Sequence, residues 1–311
     1  MRGRPSARSD SVGHTRIMVA TRQTPVWVMV HLTHAAIQVI ADRASADILH
    51  IKGPTDAALR ARPHYSTDTD VLVRPAHMSR FLDALEADGW SRLTNFDNGS
   101  PFGHAANFGH SSWAAADVHR SIPGLSLDPA QVFDRLWDAR QTAEIAHREC
   151  SIPAPPAQVL IQVTHVARSH GTGESETWSQ ADDQLRQRTR ALAAELGGEV
   201  AFAAGLGELA SFRDARDYAL WKHWSAPEDN RVVEWVARLR SAQGMRERSR
   251  IVVQAMRVNR ARLRMELGHE PTRQEIAAEQ RDRIRHALSS GVAALAGLLP
   301  GRRGAGDGGE G

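Results

Sequence analysis

IKGPTDAALRARPHYSTDTDVLV, residues 51–73, is the stretch that decides how this chain is read. TDVLV at 69–73 is a short apolar run of strand type, and Asp68 and Asp70 stand two positions apart at its start. Residues i and i+2 of a strand face one side. Two carboxylates on one side repel each other unless a cation lies between them. Hard oxygen ligands so placed suit Mg²⁺, which takes one or two carboxylates and completes its shell with phosphate oxygens and water. A polar turn feeding a strand would carry the same Asp-x-Asp pair with both acids solvated, so the flanking residues have to decide.

Upstream, ADILHIKG at 46–53 reads as a strand ending in Gly53, and PTDAALRA at 54–61 as a helix with Pro54 in its first turn. A strand–Gly–helix junction leaves backbone N–H groups free where phosphate binds readily. Lys52 precedes the glycine, and Lys52 and Lys222 are the only lysines among 39 basic residues. In a chain that otherwise uses arginine, a retained ammonium fits a compact charge meeting a triphosphate. Arg74, just after the strand, is a further phosphate candidate. Downstream, WAAADVHRSI at 113–122 reads as a strand that points Asp117 and His119 to one face. Aspartate is unfavourable inside a strand, so Asp117 needs a reason. Beside the first pair in an antiparallel sheet it would complete a two-metal site and accept the proton of an attacking hydroxyl. His119 would contact phosphate or acceptor.

The order strand, Gly, helix, Asp-x-Asp in a strand, then a single Asp in a later strand resembles the nucleotidyltransferase superfamily that includes DNA polymerase β. Thirteen residues, 55–67, separate the Gly53–Pro54 pair from Asp68, which fits that family's spacing. More narrowly, LHIKGPTDAAL, STDTDVLVRP, DALEADGW and DVHRSI look like an uncharacterised bacterial nucleotidyltransferase family with a Lys-Gly pair and an Asp-aliphatic-His segment. The resemblance covers about 45–170. It implies transfer of a nucleoside monophosphate from a nucleoside triphosphate to a hydroxyl acceptor, with pyrophosphate leaving. Asp68 and Asp70 would hold two Mg²⁺ ions (or Mn²⁺), Asp117 the ion that activates the acceptor, and Lys52 and Gly53 the β- and γ-phosphates. The chain departs from the superfamily in having Pro54 where a serine hydroxyl usually helps hold the triphosphate, and Thr69 between the two acids.

The rest of the sequence frames this reading. At 311 residues the chain holds one large domain or two ordinary ones, and Cys150, its only cysteine, excludes a disulfide framework or a Cys-rich zinc site. The net charge of +3 does not by itself imply a nucleic-acid partner. The most apolar stretch, 25–41, carries His31, Thr33, His34 and Gln38 and is shorter than a membrane span, and no secretory signal is evident, so a cytoplasmic protein is the expectation. Residues 1–14 read as a disordered arm and 301–311 as a disordered Gly-rich tail. Between them the expectation is α+β: a small mixed or antiparallel-sheet domain over 15–150, then an all-helical domain over 151–300, joined at the Pro-rich SIPAPPA, 151–157.

In detail, helices are expected over 25–44, 75–89 and 128–139, and further strands over 90–96, 105–110 and 142–150. In the second half, helices are expected near 155–170, 178–196, 198–208, 212–223, 228–241, 245–267 and 272–298, the last opening with a Thr272–Glu275 capping box. His165 and His170, five apart, do not share a helix face as a zinc pair would. Asp182 or Asp183 would face the cleft. ELGHEPTRQEIAAEQ, 266–280, is similar to a stretch of bacterial sigma factors, and 246–264 forms a basic amphipathic helix, with Ile251, Val252, Ala255, Met256 and Leu263 on its apolar side, that would offer a surface to RNA. Two other functions therefore stand beside the transferase: a nucleic-acid-binding helical regulator, and a catalytically inert nucleotide-binding sensor.

Overall fold

The computed structural model describes residues 24–62, 65–96, 100, 102–169, 175–225, 231–242 and 244–256, with 258, 263, 267, 269–282 and 285 beyond them. Residues 1–14, His170, most of 257–268 and all of 286–311 lie outside the described residues. Helix α1 (Val26–Arg43) leads into β1 (Ile48–His50), a 3-10 helix (Gly53–Leu59) and β2 (Asp68–Val73). Helix α2 (Met78–Ala87), β3 (Ser91–Arg92), β4 (Ala105–Gly109) and β5 (Ala115–His119) complete a mixed sheet in the order β1-β2-β5-β4-β3. Helix α3 (Pro129–Asp138) and the hairpin β6 (Gln141–Ile145) and β7 (Arg148–Ile152) follow. The remainder is helical: α4 (Pro155–Arg168), α5 (Glu176–Ser179), α6 (Asp183–Glu195), α7 (Glu199–Gly205), α8 (Tyr218–Ser225), α9 (Arg231–Ser241) and α10 (Met245–Met256). The architecture is α+β, with a small mixed sheet followed by helices, as the sequence indicated.

Strand alternation sorts the sheet's side chains. Val71, Val73, Ala116 and Val118 pack with Ile37 of α1 and Phe81 and Leu85 of α2. Leu49, Ile51 and Leu72 pack on the other face with Phe133, Leu160, Leu196 and Phe202. That second cluster draws residues from both sides of position 150. Asp68 and Asp70 share the register of Leu72, while Asp117 and His119 oppose that of Ala116 and Val118, so all four belong to the α4 face. At 2% exposure or less, Val71, Val73, Ala116 and Val118 anchor the strands that carry them.

Several elements differ from expectation. Strand β5 runs parallel to β2, not antiparallel, because α2, β3 and β4 intervene and return the chain in the same direction. Segment 142–150 is no single strand: Ala146 and His147, at φ +48° and +61°, form a two-residue hairpin turn. That turn type favours Gly, Asn or Asp, none of which marks it here. The helix over 178–196 is broken, since Asp182 accepts a hydrogen bond from Leu185 N at 2.7 Å and caps α6. Residues 54–61 form a 3-10 helix rather than an α-helix. Strand 90–96 shrinks to β3, and α8 starts only at Tyr218. On α10, Ile251 is buried but Val252 is half exposed, so the expected apolar face is narrower. The Thr272–Glu275 capping box is present, with Thr272 N donating to Glu275 Oε2 at 2.8 Å. No helix among the described residues is long and apolar enough to cross a membrane.

Candidate active site

Asp70 is the centre of a buried charge cluster and is 2% exposed. Lys52 Nζ donates to its Oδ1 at 2.5 Å, and His119 Nε2 donates to the same oxygen at 2.8 Å. Burial pushes the Asp70 carboxyl up, but the Lys52 charge and the bonds from His119 and Lys52 outweigh it and hold the group far below the usual carboxylate range. Asp117 stands directly opposite Asp70 in the parallel register, and Asn107 of β4 donates to its Oδ1. Burial, then the charge of Asp70, raise the Asp117 carboxyl; the Asn107 bond only partly opposes this. Asp68 accepts from Ser66 Oγ at 3.0 Å, and its charge also acts on Asp117.

One ligand atom each from Asp70, Asp117 and His119 lies within 4.8 Å of the others. Two carboxylates pushed together until one resists ionisation are a set that a divalent cation relieves, so the residues present fit such an ion. The expected trio was Asp68, Asp70 and Asp117; the tightest group has His119 in place of Asp68. His119 Nε2 donates to Asp70, so in the neutral ring Nδ1 is the unprotonated nitrogen.

The turn beneath this cluster is held from both sides. Gly53 sits at φ +71°, and a Cβ there would meet His34 Nε2 and Ser66 Cβ at 3.4 Å. The buried carboxylate of Asp56 takes two bonds from Arg60, at 2.9 and 2.7 Å, and one from Gln162 Nε2 of α4 at 2.6 Å. The turn is thereby pinned to the helical half. On the α1 side, Gln38 Nε2 donates to Asp42 at 2.8 Å, so Gln38 Oε1 faces His50 and accepts from His50 Nε2 at 3.0 Å. His50 Nδ1 must then accept from His34 Nδ1 at 2.7 Å, which leaves His34 Nε2 an unprotonated, buried nitrogen without a partner. Burial keeps both rings neutral, pushing His50 down to about 3.

Helix α4 contributes the other wall. Arg168 Nη1 lies 3.0 Å from His104 Nε2 and Nη2 lies 3.5 Å from His165 Nδ1. His104 and His165 both stack the burial penalty on top of the nearby positive charges, and His165 falls to about 4. Lys52 and Arg168 act on both imidazoles, and Asp70 acts on Arg168, so all belong to one electrostatic cluster.

Of the residues singled out in the sequence, Lys52, Gly53, Asp68, Asp70, Asp117 and His119 come together here. Arg74 does not. Its guanidinium pairs with Asp47 at 2.7 Å and with Asp134, and lies 4.7 Å from the Phe133 ring, fastening β2 to α3. Asp182 is spent as a helix cap. Asn107, Ser66, His104 and Arg168 were missed. Ser66 lies within 51–73 and Arg168 between His165 and His170, but His104 and Arg168 are 64 positions apart and no local pattern joins them.

No protein-family profile matches the chain, and no curated protein sequence matches it. Among solved structures, it is similar to the lincosamide antibiotic adenylyltransferase LnuA bound to lincomycin, at 13% identity and a TM-score of 0.32, over 53% of this chain and 95% of that one. It is also similar to the antibiotic-resistance factor ANT(2'')-Ia, at 15% identity and 0.33, over 63% and 95%. A third is an antigenic nucleotidyltransferase-like protein from Paracoccidioides brasiliensis, at 12% and 0.33, over 64% and 94%.

Proposed function

We propose that this chain is a divalent-metal-dependent nucleotidyltransferase that moves a nucleoside monophosphate from a nucleoside triphosphate to a hydroxyl acceptor. The observation that carries the reading is the pairing of Asp70 and Asp117 on adjacent parallel strands, with Asp68 on the same face and a lysine against Asp70. Divalent cations bound among these acids would neutralise phosphate charge and make the acceptor hydroxyl more acidic. Asp68 and Asp70 would hold the cations that meet the triphosphate, with the Gly53 turn and Lys52 beside it. Asp117, already reluctant to stay ionised, is suited to take the proton of the attacking hydroxyl. The acceptor oxygen bonds to the α-phosphorus, the bond from that phosphorus to the bridging oxygen breaks, and pyrophosphate leaves with the electron pair. In this reading residues 15–150 carry the acids, and 151–300 close the cleft through α4. The acceptor belongs to the hydroxyl class: a small metabolite, a peptide or protein side chain, or an RNA end.

The test is nucleotide binding and pyrophosphate release with each nucleoside triphosphate, with and without Mg²⁺, in wild type and in Asp70→Asn/Asp117→Asn. Metal-dependent binding lost in the double variant is expected. Binding that survives in that variant, or none at millimolar nucleotide, contradicts the reading. Metal-dependent binding with no pyrophosphate release in any acceptor mixture would make the chain a nucleotide sensor.

A further inference from the structure

Arg168 is a largely buried cation that no carboxylate serves among the described residues. Its two partners are the imidazoles of His104 and His165, and its Nε is buried without a partner. A guanidinium only donates, so His104 Nε2 and His165 Nδ1 must both accept, which requires neutral rings. His104 Nδ1 then carries the ring proton and donates to Ser100 Oγ at 2.7 Å. The other cation of the cluster, Lys52, is already spent on Asp70. Arg60 and Arg74, by contrast, are met by acids: Arg60 has Asp56 and Glu176, and Arg74 has Asp47 and Asp134. Removing a guanidinium from water without an anion is unfavourable, and the deficit is made good by a ligand that brings one. The planar N–H fork matches phosphate oxygens two at a time, and the free Nε–H is one tine of that fork.

We propose that Arg168, oriented by His104 and His165, holds the pyrophosphate group in this cleft, both as the β- and γ-phosphates of the bound triphosphate and as the free leaving group. This assignment rests on the nucleotidyltransferase reading for the identity of the anion, but the binding itself does not require transfer. Lys52 is then a partner of Asp70, and the main phosphate contact passes from the Gly53 turn to α4. Charge reaching this spot from the sheet comes from Asp70 and Lys52, and from His119 through His104.

The experiment is calorimetric titration of the full chain with sodium pyrophosphate and with each nucleoside triphosphate in EDTA, then again with Mg²⁺, for wild type, Arg168→Gln and Arg168→Lys. Wild type should bind pyrophosphate, and Arg168→Gln should weaken it about tenfold or more, the loss typical of a charged hydrogen bond. Arg168→Lys keeps the charge but not the fork and should fall between. Without anion, Arg168→Gln should melt no lower than wild type, whereas an arginine kept for structure would lower it. Equal pyrophosphate affinity in wild type and Arg168→Gln overturns the proposal, as does wild type that binds triphosphate but not pyrophosphate. If Arg168→Gln does not fold, the comparison of Arg168→Lys with wild type decides in the same way. Pyrophosphate binding through Arg168 combined with no metal-dependent triphosphate binding would leave the anion site standing and remove the transferase reading. No binding of either ligand by wild type removes both.

Discussion

Replacing Asp117 with asparagine should stabilise the metal-free protein while abolishing its response to metal. The reason lies in the distance between the two acids, whose ligand oxygens are no more than 4.8 Å apart. Two unit charges at that separation repel by about 1 kcal/mol in water-like surroundings and about 3 kcal/mol at an effective dielectric of about 20. Asparagine removes that repulsion, and the Asp70 anion gains as well. Against this, the Asn107 bond to residue 117 loses its charged acceptor, a loss of about 1 kcal/mol. The net expectation is a gain of about 1 kcal/mol. Urea denaturation at neutral pH in EDTA measures it. With Mg²⁺ or Mn²⁺ at a hundredfold excess over its dissociation constant, wild type should gain about 2.7 kcal/mol and the variant little, so that the order reverses. The pH dependence supplies a sign check. A raised folded-state carboxyl destabilises above its own pKa, and the penalty disappears as pH falls through it, so this trend should be missing from the variant. A variant less stable than wild type in EDTA, or one stabilised equally by metal, would refute the reasoning.

Three further outcomes follow from the buried groups. The unfolded chain protonates His50 and His165 near pH 6.5, but the folded chain resists until about 3 and about 4. Stability should therefore fall on acidification by about 1.4 kcal/mol per pH unit for each ring, and a urea midpoint that is flat between neutrality and pH 5 would contradict this. Cys150 is fully buried and its thiol is pushed up to about 12, so the native protein should resist thiol reagents at pH 8 until it is unfolded; labelling at the rate of a free thiol would show the strand to be open. Gly205 lets α7 approach α4, because a Cβ there would stand 2.3 Å from the Val163 carbonyl oxygen. Gly205→Ala should cost about 3 kcal/mol and lower the melting temperature, and an unchanged melt would mean that the helices part freely.

The acids were legible because strand alternation is a property of sequence spacing: Asp68 and Asp70, and Asp117 and His119, fall on one face whatever surrounds them. The direction of β5 was not legible, since a period of two looks the same in parallel and antiparallel ladders. The turn at Ala146–His147 escaped because neither residue carries the signal its backbone conformation usually demands. Arg74 shows the converse: standing next to a motif does not fix which end of the strand a side chain serves, and packing against Phe133 and pairing with Asp134 drew it away. The wall built from His104, His165 and Arg168 exists only once β4 and α4 are brought together, so no window of sequence contains it.

The central claim is that the Asp70–Asp117 face holds a divalent cation together with nucleotide. Its most direct test is an anomalous difference map from crystals soaked with MnCl₂ and a non-hydrolysable nucleoside triphosphate. The account predicts a manganese peak within ligand distance of the Asp70 and Asp117 carboxylates, with the phosphates reaching toward Gly53 and Arg168. Manganese or nucleotide bound elsewhere with that face empty, or no ordered nucleotide at saturating concentration, would contradict it.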